Sequence, residues 1–407
     1  MQHRADIILK KGRDESVKRF HPWIFSGAIE RISGTIQEGD QVNVLDHKGT
    51  YLATGHAATG SIAVKLFWFG PEKPPADLWY FRLMNALRVR ERIGYTLSSN
   101  SNTYRLLFSE ADGMPGVIID YYNGVAVIQA HTMGMHLVRK ELTDTLIRIY
   151  GDKLNAVYSK SSETLSRSGI YGEKDEFLYK KTSDNGIKMI PPEQELIVTE
   201  NGRRFHIDFI EGQKTGFFLD QRENRALLSH YAPGMKILNV FSYSGGFSIY
   251  GLTAGAQHVT SLDSSAKAMV LLEKNLLLNT FEGSHLSVTA DAKAWLPGME
   301  KDFDIVVLDP PAFAKRQADR HKALQGYRFI NQAAIKNIKN GGLLFTFSCS
   351  QAITPELFTS AVMSASINAG RNVRILHHLT HSPDHPVSIF HPEGEYLKGL
   401  VLMVTDY

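Results

Sequence analysis

Cysteine is almost missing from this chain: Cys349 is the single one in 407 residues. That excludes a disulfide within the chain and any multi-cysteine metal site, so no metal is expected. Long hydrophobic runs are missing too. No stretch approaches the roughly 18 apolar residues of a membrane span, and the opening Met-Gln-His-Arg-Ala-Asp is not built like a signal peptide. The expectation is a cytosolic protein without membrane contact. A strong charge of one sign is also absent. The 45 Lys and Arg against 42 Asp and Glu leave a net charge of +3, which permits nucleic-acid binding without arguing for it. Finally, there is no G-x-G-x-x-G, which counts against a dinucleotide such as NAD. What remains is ordinary globular material, 43% hydrophobic and 21% charged, long enough for two or three domains with ample core.

The chain is organised around residues 236–248, Lys-Ile-Leu-Asn-Val-Phe-Ser-Tyr-Ser-Gly-Gly-Phe-Ser. Ile237 to Val240 read as a buried parallel strand, and the residues from Phe247 onward can open a helix. Gly245 and Gly246 let the backbone pass close to a ligand where a Cβ would obstruct it. Three further strand-like runs each finish in aspartate: 258–263 in Asp263, 286–291 in Asp291 and 303–309 in Asp309. Acidic groups along one sheet edge lie where open α/β sheets bind ligands, and Asp263 suits the two hydroxyls of a ribose. After Asp309 come Pro310 and Pro311, which fix φ and remove two donors, so the chain leaves the strand stiffly. Residues 341–350 read as a fifth strand ending at Cys349, and Thr354-Pro355 opens a helix. The alternation of strands and helices from 236 onward predicts an α/β, mostly parallel, doubly wound domain.

Upstream, residues 1–72 read as a small β-rich domain in which seven Lys/Arg face four Asp/Glu over residues 1–31. Arg19, His21 and Trp23 mix cations with an aromatic ring, a combination suited to phosphate and base contact; a solvated basic face with Trp23 in the core is the plainer alternative. Pro71 to Pro75 is a stiff linker. Asp77 is placed to cap a helix running to about Ile93, on which Arg82, Arg88, Arg90 and Arg92 read as a solvated face over an apolar stripe. Asn123-Gly124 and Asn201-Gly202 are two-residue hairpin signals. Residues 161–188 read as loop, Pro191-Pro192 as a boundary, and Asp220 or its neighbours as a helix cap.

The segments 218–222 (Phe-Leu-Asp-Gln-Arg), 241–247 (Phe-Ser-Tyr-Ser-Gly-Gly-Phe), 308–313 (Leu-Asp-Pro-Pro-Ala-Phe), 346–350 (Thr-Phe-Ser-Cys-Ser), 384–386 (Asp-His-Pro) and 391–399 (His-Pro-Glu-Gly-Glu-Tyr-Leu-Lys-Gly) resemble one family. It is the class I S-adenosylmethionine-dependent methyltransferases, and within it the bacterial large-subunit ribosomal RNA cytosine-5 enzymes that carry an N-terminal PUA domain. The resemblance spans essentially the whole chain. It implies a PUA-like RNA-binding domain over 1–72, a central α+β domain over 73–190 and a Rossmann-like methyltransferase domain over 191–407 that begins with a hairpin at 195–209.

The resemblance also implies roles. Phe241, Ser242, Tyr243, Ser244, Gly245 and Gly246 would line the methionine part of S-adenosylmethionine, Asp263 would hold the ribose and Asp291 the adenine amine. Phe217, Asp220 and Gln221 would flank that pocket. Cys349 would add to carbon 6 of cytosine and Asp309, at the cofactor edge, would hold the base. Pro310, Pro311, Phe313, Lys315 and Arg316, with Arg19 and Trp23, would meet RNA. The partner would be large-subunit ribosomal RNA; a homodimer fits the resemblance, though no sequence feature decides it. Ala312 stands where many such enzymes carry a second cysteine, so another group must remove the carbon-5 proton, with His385, taken as a surface-loop residue, one candidate. An exocyclic-nitrogen methyltransferase for guanine or adenine, with Cys349 a spectator, is the alternative; a non-catalytic RNA-binding or assembly protein is the third reading.

Overall fold

The computed structural model describes residues 5–96, 100–181, 196–314 and 316–407. Lys315 and the Pro191-Pro192 boundary lie outside them. The chain divides into two compact units, one of residues 1–198, 207–217 and 383–394, the other of 199–206, 218–382 and 395–407.

The first unit holds two sheets. Strands β1 (Ala5–Leu9), β2 (Trp23–Phe25), β3 (Ile29–Gly34), β4 (Gln41–Leu45), β5 (Tyr51–Ala57) and β6 (Ile62–Phe69) order as β2-β6-β5-β4-β1-β3. Their alternating Val and Ile side chains, among them Ile7, Val42, Val44 and Val64, form a core of their own. Strands β7 (Thr103–Phe108), β8 (Val117–Tyr122), β9 (Val125–Ala130), β10 (Ala156–Ser159) and β11 (Glu176–Lys180) order as β11-β10-β9-β8-β7. Asn123 and Gly124 join β8 to β9 with φ of 42° and 92°, the double left-handed turn that matches strand twist. Of the segment 161–188, residues 182–188 lie outside the described ones and the rest is not simply loop: Ser162–Arg167 is helical and Glu176–Lys180 pairs with β10. Their period is too short to stand out from the polar residues around them.

The helix Leu78–Arg92 forms as its apolar spacing predicts, but Asp77 makes no side-chain capping bond. Its arginines are not uniformly solvated either. Arg90 is fully buried and pairs with both oxygens of Asp112, at 2.6 and 2.8 Å, and Arg82 donates to the Phe67 carbonyl. A buried carboxylate supplied by a distant turn reverses the face that periodicity assigns to Arg90.

A hairpin, β12 (Ile197–Glu200) and β13 (Arg203–His206), turns at Asn201-Gly202 with φ of 48° and 80°. The second unit is built on β14 (Lys236–Val240), β15 (His258–Asp263), β16 (Ser284–Thr289), β17 (Ile305–Leu308), β18 (Gly342–Ser348), β19 (Asn372–Leu379) and β20 (Lys398–Thr405), ordered β16-β15-β14-β17-β18-β20-β19. The first five are parallel, and β20 runs antiparallel between β18 and β19. Ile237, Leu238, Val240 and Ile305 to Leu308 are buried, as strands covered on both faces require. The order reverses at β14, between β15 and β17, so the switch point of this α/β sheet lies at the carboxyl end of β14.

Candidate active site

At that switch point Phe241, Tyr243 and Gly245 have φ of 62°, 47° and 81°. Left-handed backbone is free for Gly245 but costs on the order of 1–3 kcal/mol at each of the other two. Neighbouring bonds hold the turn. Tyr243 N–H donates to Asp263 Oδ2 at 2.9 Å, Ser242 N–H to the Leu262 carbonyl at 3.1 Å, and Asn275 Nδ2 to the Ser244 carbonyl at 2.8 Å. Asp263 Oδ1 accepts from Ser265 N–H at 2.9 Å. Asp263 thus ties the 241–246 turn to the end of β15. The helix Gly246–Thr253 starts directly after the turn. Phe218 packs its ring edge-on against Tyr243, with centroids 5.3 Å apart.

The other carboxylates need adjustment. Asp291 does not end its strand: β16 stops at Thr289, and Asp291 is exposed and caps the helix Ala292–Trp295 by accepting from Ala294 N–H at 3.0 Å. Asp309 and Cys349 each lie one residue beyond their strands, β17 and β18. Those strands are parallel neighbours, with Leu308 opposite Thr346. Their ends meet where the Cys349 thiol donates weakly to the Pro310 carbonyl, Sγ to O 3.9 Å.

Below that contact the two loops are stitched together. Ser350 Oγ accepts from Ala314 N–H at 3.3 Å and shares a hydrogen bond with the Tyr327 hydroxyl at 2.9 Å. Phe313 stacks on Tyr327 at 4.7 Å, with the Lys293 ammonium over its ring. Burial raises the Tyr327 phenol above its usual range. From the facing strand, Lys398 Nζ donates to the carbonyls of Ser350 and Ile353 at 2.7 and 2.6 Å. Lys398 is 8% exposed, and desolvation lowers it to about 8. Lys398 falls within the 391–399 segment, but only the register of β18 with β20 brings it here.

Asp220 and Gln221 are bracing groups rather than caps. Asp220 Oδ2 accepts from the Tyr396 hydroxyl at 2.5 Å, and Gln221 Oε1 accepts from Asn224 at 2.6 Å; the helix Arg222–Tyr231 has no side-chain cap. Behind them, buried Glu200 takes both Arg222 and Arg225, and Arg225 Nη1 reaches the Phe218 carbonyl at 2.9 Å. Pro311 and Arg316 are exposed and Pro310 is buried. Phe217, Arg19 and Trp23 belong to the first unit. There Arg19 is exposed, and Trp23 Nε1 donates to Glu110 at 3.0 Å, its ring 4.4 Å from that of His391. His385 is also in the first unit and is no surface histidine. It is 1% exposed and bonds Asp384 at 2.8 Å. Among the described residues no group of three or more His, Cys, Asp or Glu is arranged to hold a metal, and no helix is long and apolar enough to cross a membrane.

Comparison with known proteins agrees with this geometry. Residues 7–69 match a PUA-like domain and residues 179–389 an S-adenosylmethionine-dependent methyltransferase domain. The ribosomal RNA large subunit methyltransferase I of Alteromonas mediterranea is 36% identical over 99% of each chain. Among solved structures, one described as a SAM-dependent methyltransferase from Streptococcus mutans superposes with a TM-score of 0.80 at 19% identity, over 98% of this chain and 99% of that one. A methyltransferase solved in complex with SAH gives 0.81 at 20% identity and the same coverage. At such identities these two speak for the fold. The chain belongs to the S-adenosylmethionine-dependent methyltransferase family, in the branch that joins a PUA-like domain to the methyltransferase domain.

Proposed function

We propose that this protein methylates carbon 5 of a cytosine in large-subunit ribosomal RNA through a bond between Cys349 and carbon 6. The PUA-like match and the name of the Alteromonas relative support the RNA class. In this reading residues 1–72 bind RNA, 73–190 form a central domain and 191–407 carry the chemistry. The observation that carries the cytosine reading is the contact of the chain's only thiol with the Pro310 carbonyl, directly after Asp309.

The donor set at the switch point fits S-adenosylmethionine. The Asp263 carboxylate, already oriented by two backbone N–H groups, keeps lone pairs for ribose hydroxyls. The 241–246 turn would line the methionine part, and Asp291, with Oδ1 committed to its cap, offers its second oxygen to the adenine amine. When bound, the cofactor supplies an electrophilic methyl group on a sulfonium.

Carbon 5 of cytosine is a poor nucleophile while its electrons belong to the aromatic ring. Cys349, as thiolate, forms an S–C6 bond, and the C5–C6 π pair shifts into the ring, making carbon 5 enamine-like. Asp309 accepts from the cytosine edge and stabilises the adduct once its ring nitrogen is protonated. After methylation the carbon-5 proton leaves, its electron pair re-forms the C5–C6 double bond and the S–C6 bond breaks, returning the thiolate. A base within paired RNA must first be extruded.

Nucleoside mass spectrometry of ribosomal RNA from cells with and without the gene tests the reading. Loss of one 5-methylcytidine is the expected result. Loss of a methylguanosine or methyladenosine would keep the cofactor and sink the covalent mechanism.

A further inference from the structure

We propose that Lys398 is the charge partner that stabilises the Cys349 thiolate when the thiol ionises. The inference rests on Cys349 being the nucleophile. In the β18–β20 ladder Lys398 stands opposite Ser348, the residue before Cys349. Its ammonium reaches past that point to the carbonyls of Ser350 and Ile353, so the side chain spans the backbone position of the cysteine. The two carbonyls take two of its three N–H groups, and negative charge on the Cys349 sulfur favours the protonated amine. That interaction is reciprocal: what the thiolate does for the ammonium, the ammonium does for the thiolate.

A mere tether for the Ser350 and Ile353 carbonyls does not require a cation. A neutral amide could donate both bonds without the desolvation penalty that brings Lys398 down to about 8. Ionisation itself is simple. The S–H bond breaks, the electron pair stays on sulfur, the proton passes to water, and Lys398 keeps its three protons beside the new anion. Among the described residues, the other titratable groups facing the pair are Tyr327, which also feels the Cys349 charge, Glu395, which feels Lys398, and Asp309 before the Pro310 carbonyl.

The single cysteine makes the test direct, because every alkylation event reports on Cys349. The rate of modification by iodoacetamide is measured against pH for the full-length protein, Lys398→Met and Lys398→Arg. The expected result at neutral pH is a loss of about tenfold in Lys398→Met, its whole profile displaced to higher pH. Lys398→Arg, which keeps a cation and two donors, should stay close to the parent. Superimposable profiles for the parent and Lys398→Met would overturn the pairing. If Lys398→Met fails to fold, Lys398→Arg carries the test alone, and a profile displaced upward there would overturn it equally. Cys349→Ala, assayed for methylation in parallel, separates the two readings. Retained turnover with a displaced Lys398→Met profile would leave the charge pair standing and remove the nucleophile.

Discussion

The first unit and the carboxyl edge of the second unit's sheet treat buried charge differently, although behind that edge Glu200 closes on Arg222 and Arg225 as carboxylates do in the first unit. In the first, arginines and carboxylates close on one another. Arg90 meets both oxygens of Asp112, Arg105 meets both oxygens of Asp120 at 2.8 Å, Thr215 adds a bond to Asp120, and Asp384 takes the Arg105 N–H and His385. In the second, the carboxyl edge of the sheet spends its charges on backbone. Asp263 collects two N–H groups, Lys398 two carbonyls, and the Cys349 thiol one. Charge matched with charge fixes a structure; charge that only orients a strained turn or loop stays available for a ligand or a reacting group.

Five measurements would break or sharpen that contrast. Cys349→Ala should lower methylation by at least about a thousandfold with an unchanged unfolding midpoint, read from labelled methyl transfer to ribosomal RNA. Asp120→Ala should do the opposite. It removes the carboxylate that takes two N–H groups of the buried Arg105 guanidinium and should cost about 3–5 kcal/mol in urea unfolding, while the folded fraction binds S-adenosylmethionine as before by calorimetry. Asp263→Ala should fall between them: losing charge-assisted bonds worth about 1.5–3 kcal/mol should weaken cofactor binding by tenfold or more with a smaller loss of stability. A pH effect follows from Lys398. Its folded value of about 8 lies below the 10.5 of a free lysine, so between these limits the unfolded chain binds more protons and stability rises with pH. Urea midpoints should climb across that window in the parent and flatten in Lys398→Met. Asp77→Ala should change stability by no more than about 0.5 kcal/mol, since no capping bond is there to lose.

Much of the catalytic unit was legible because its signals are local. Parallel strands read as apolar runs, Asn-Gly marks both hairpins, and Asp263, Asp309 and Cys349 sit at or one residue past strand ends. The misreadings have two causes. Arg90 as a solvated cation, Asp220 as a cap and His385 as a surface residue depend on what a distant segment brings: Asp112 for Arg90, Tyr396 for Asp220, the Phe108 ring for His385; Asp291 and Asp77 turn instead on where a strand or helix ends, which shifts by a residue or two. Lys398 lies within the 391–399 segment, but its nearness to Cys349 rests on strand register, which one sequence does not display.

The place of β20 has a consequence for how the enzyme is made. As the chain leaves the ribosome, β18 emerges with its cysteine before β19, and β20 follows both. Until β20 inserts between them, one edge of β18 is open to wrong partners, and the thiol has no cation beside it. On the pairing proposed above, the event that closes the sheet also brings the cation to the sulfur. A nascent or half-folded molecule then carries only an ordinary thiol.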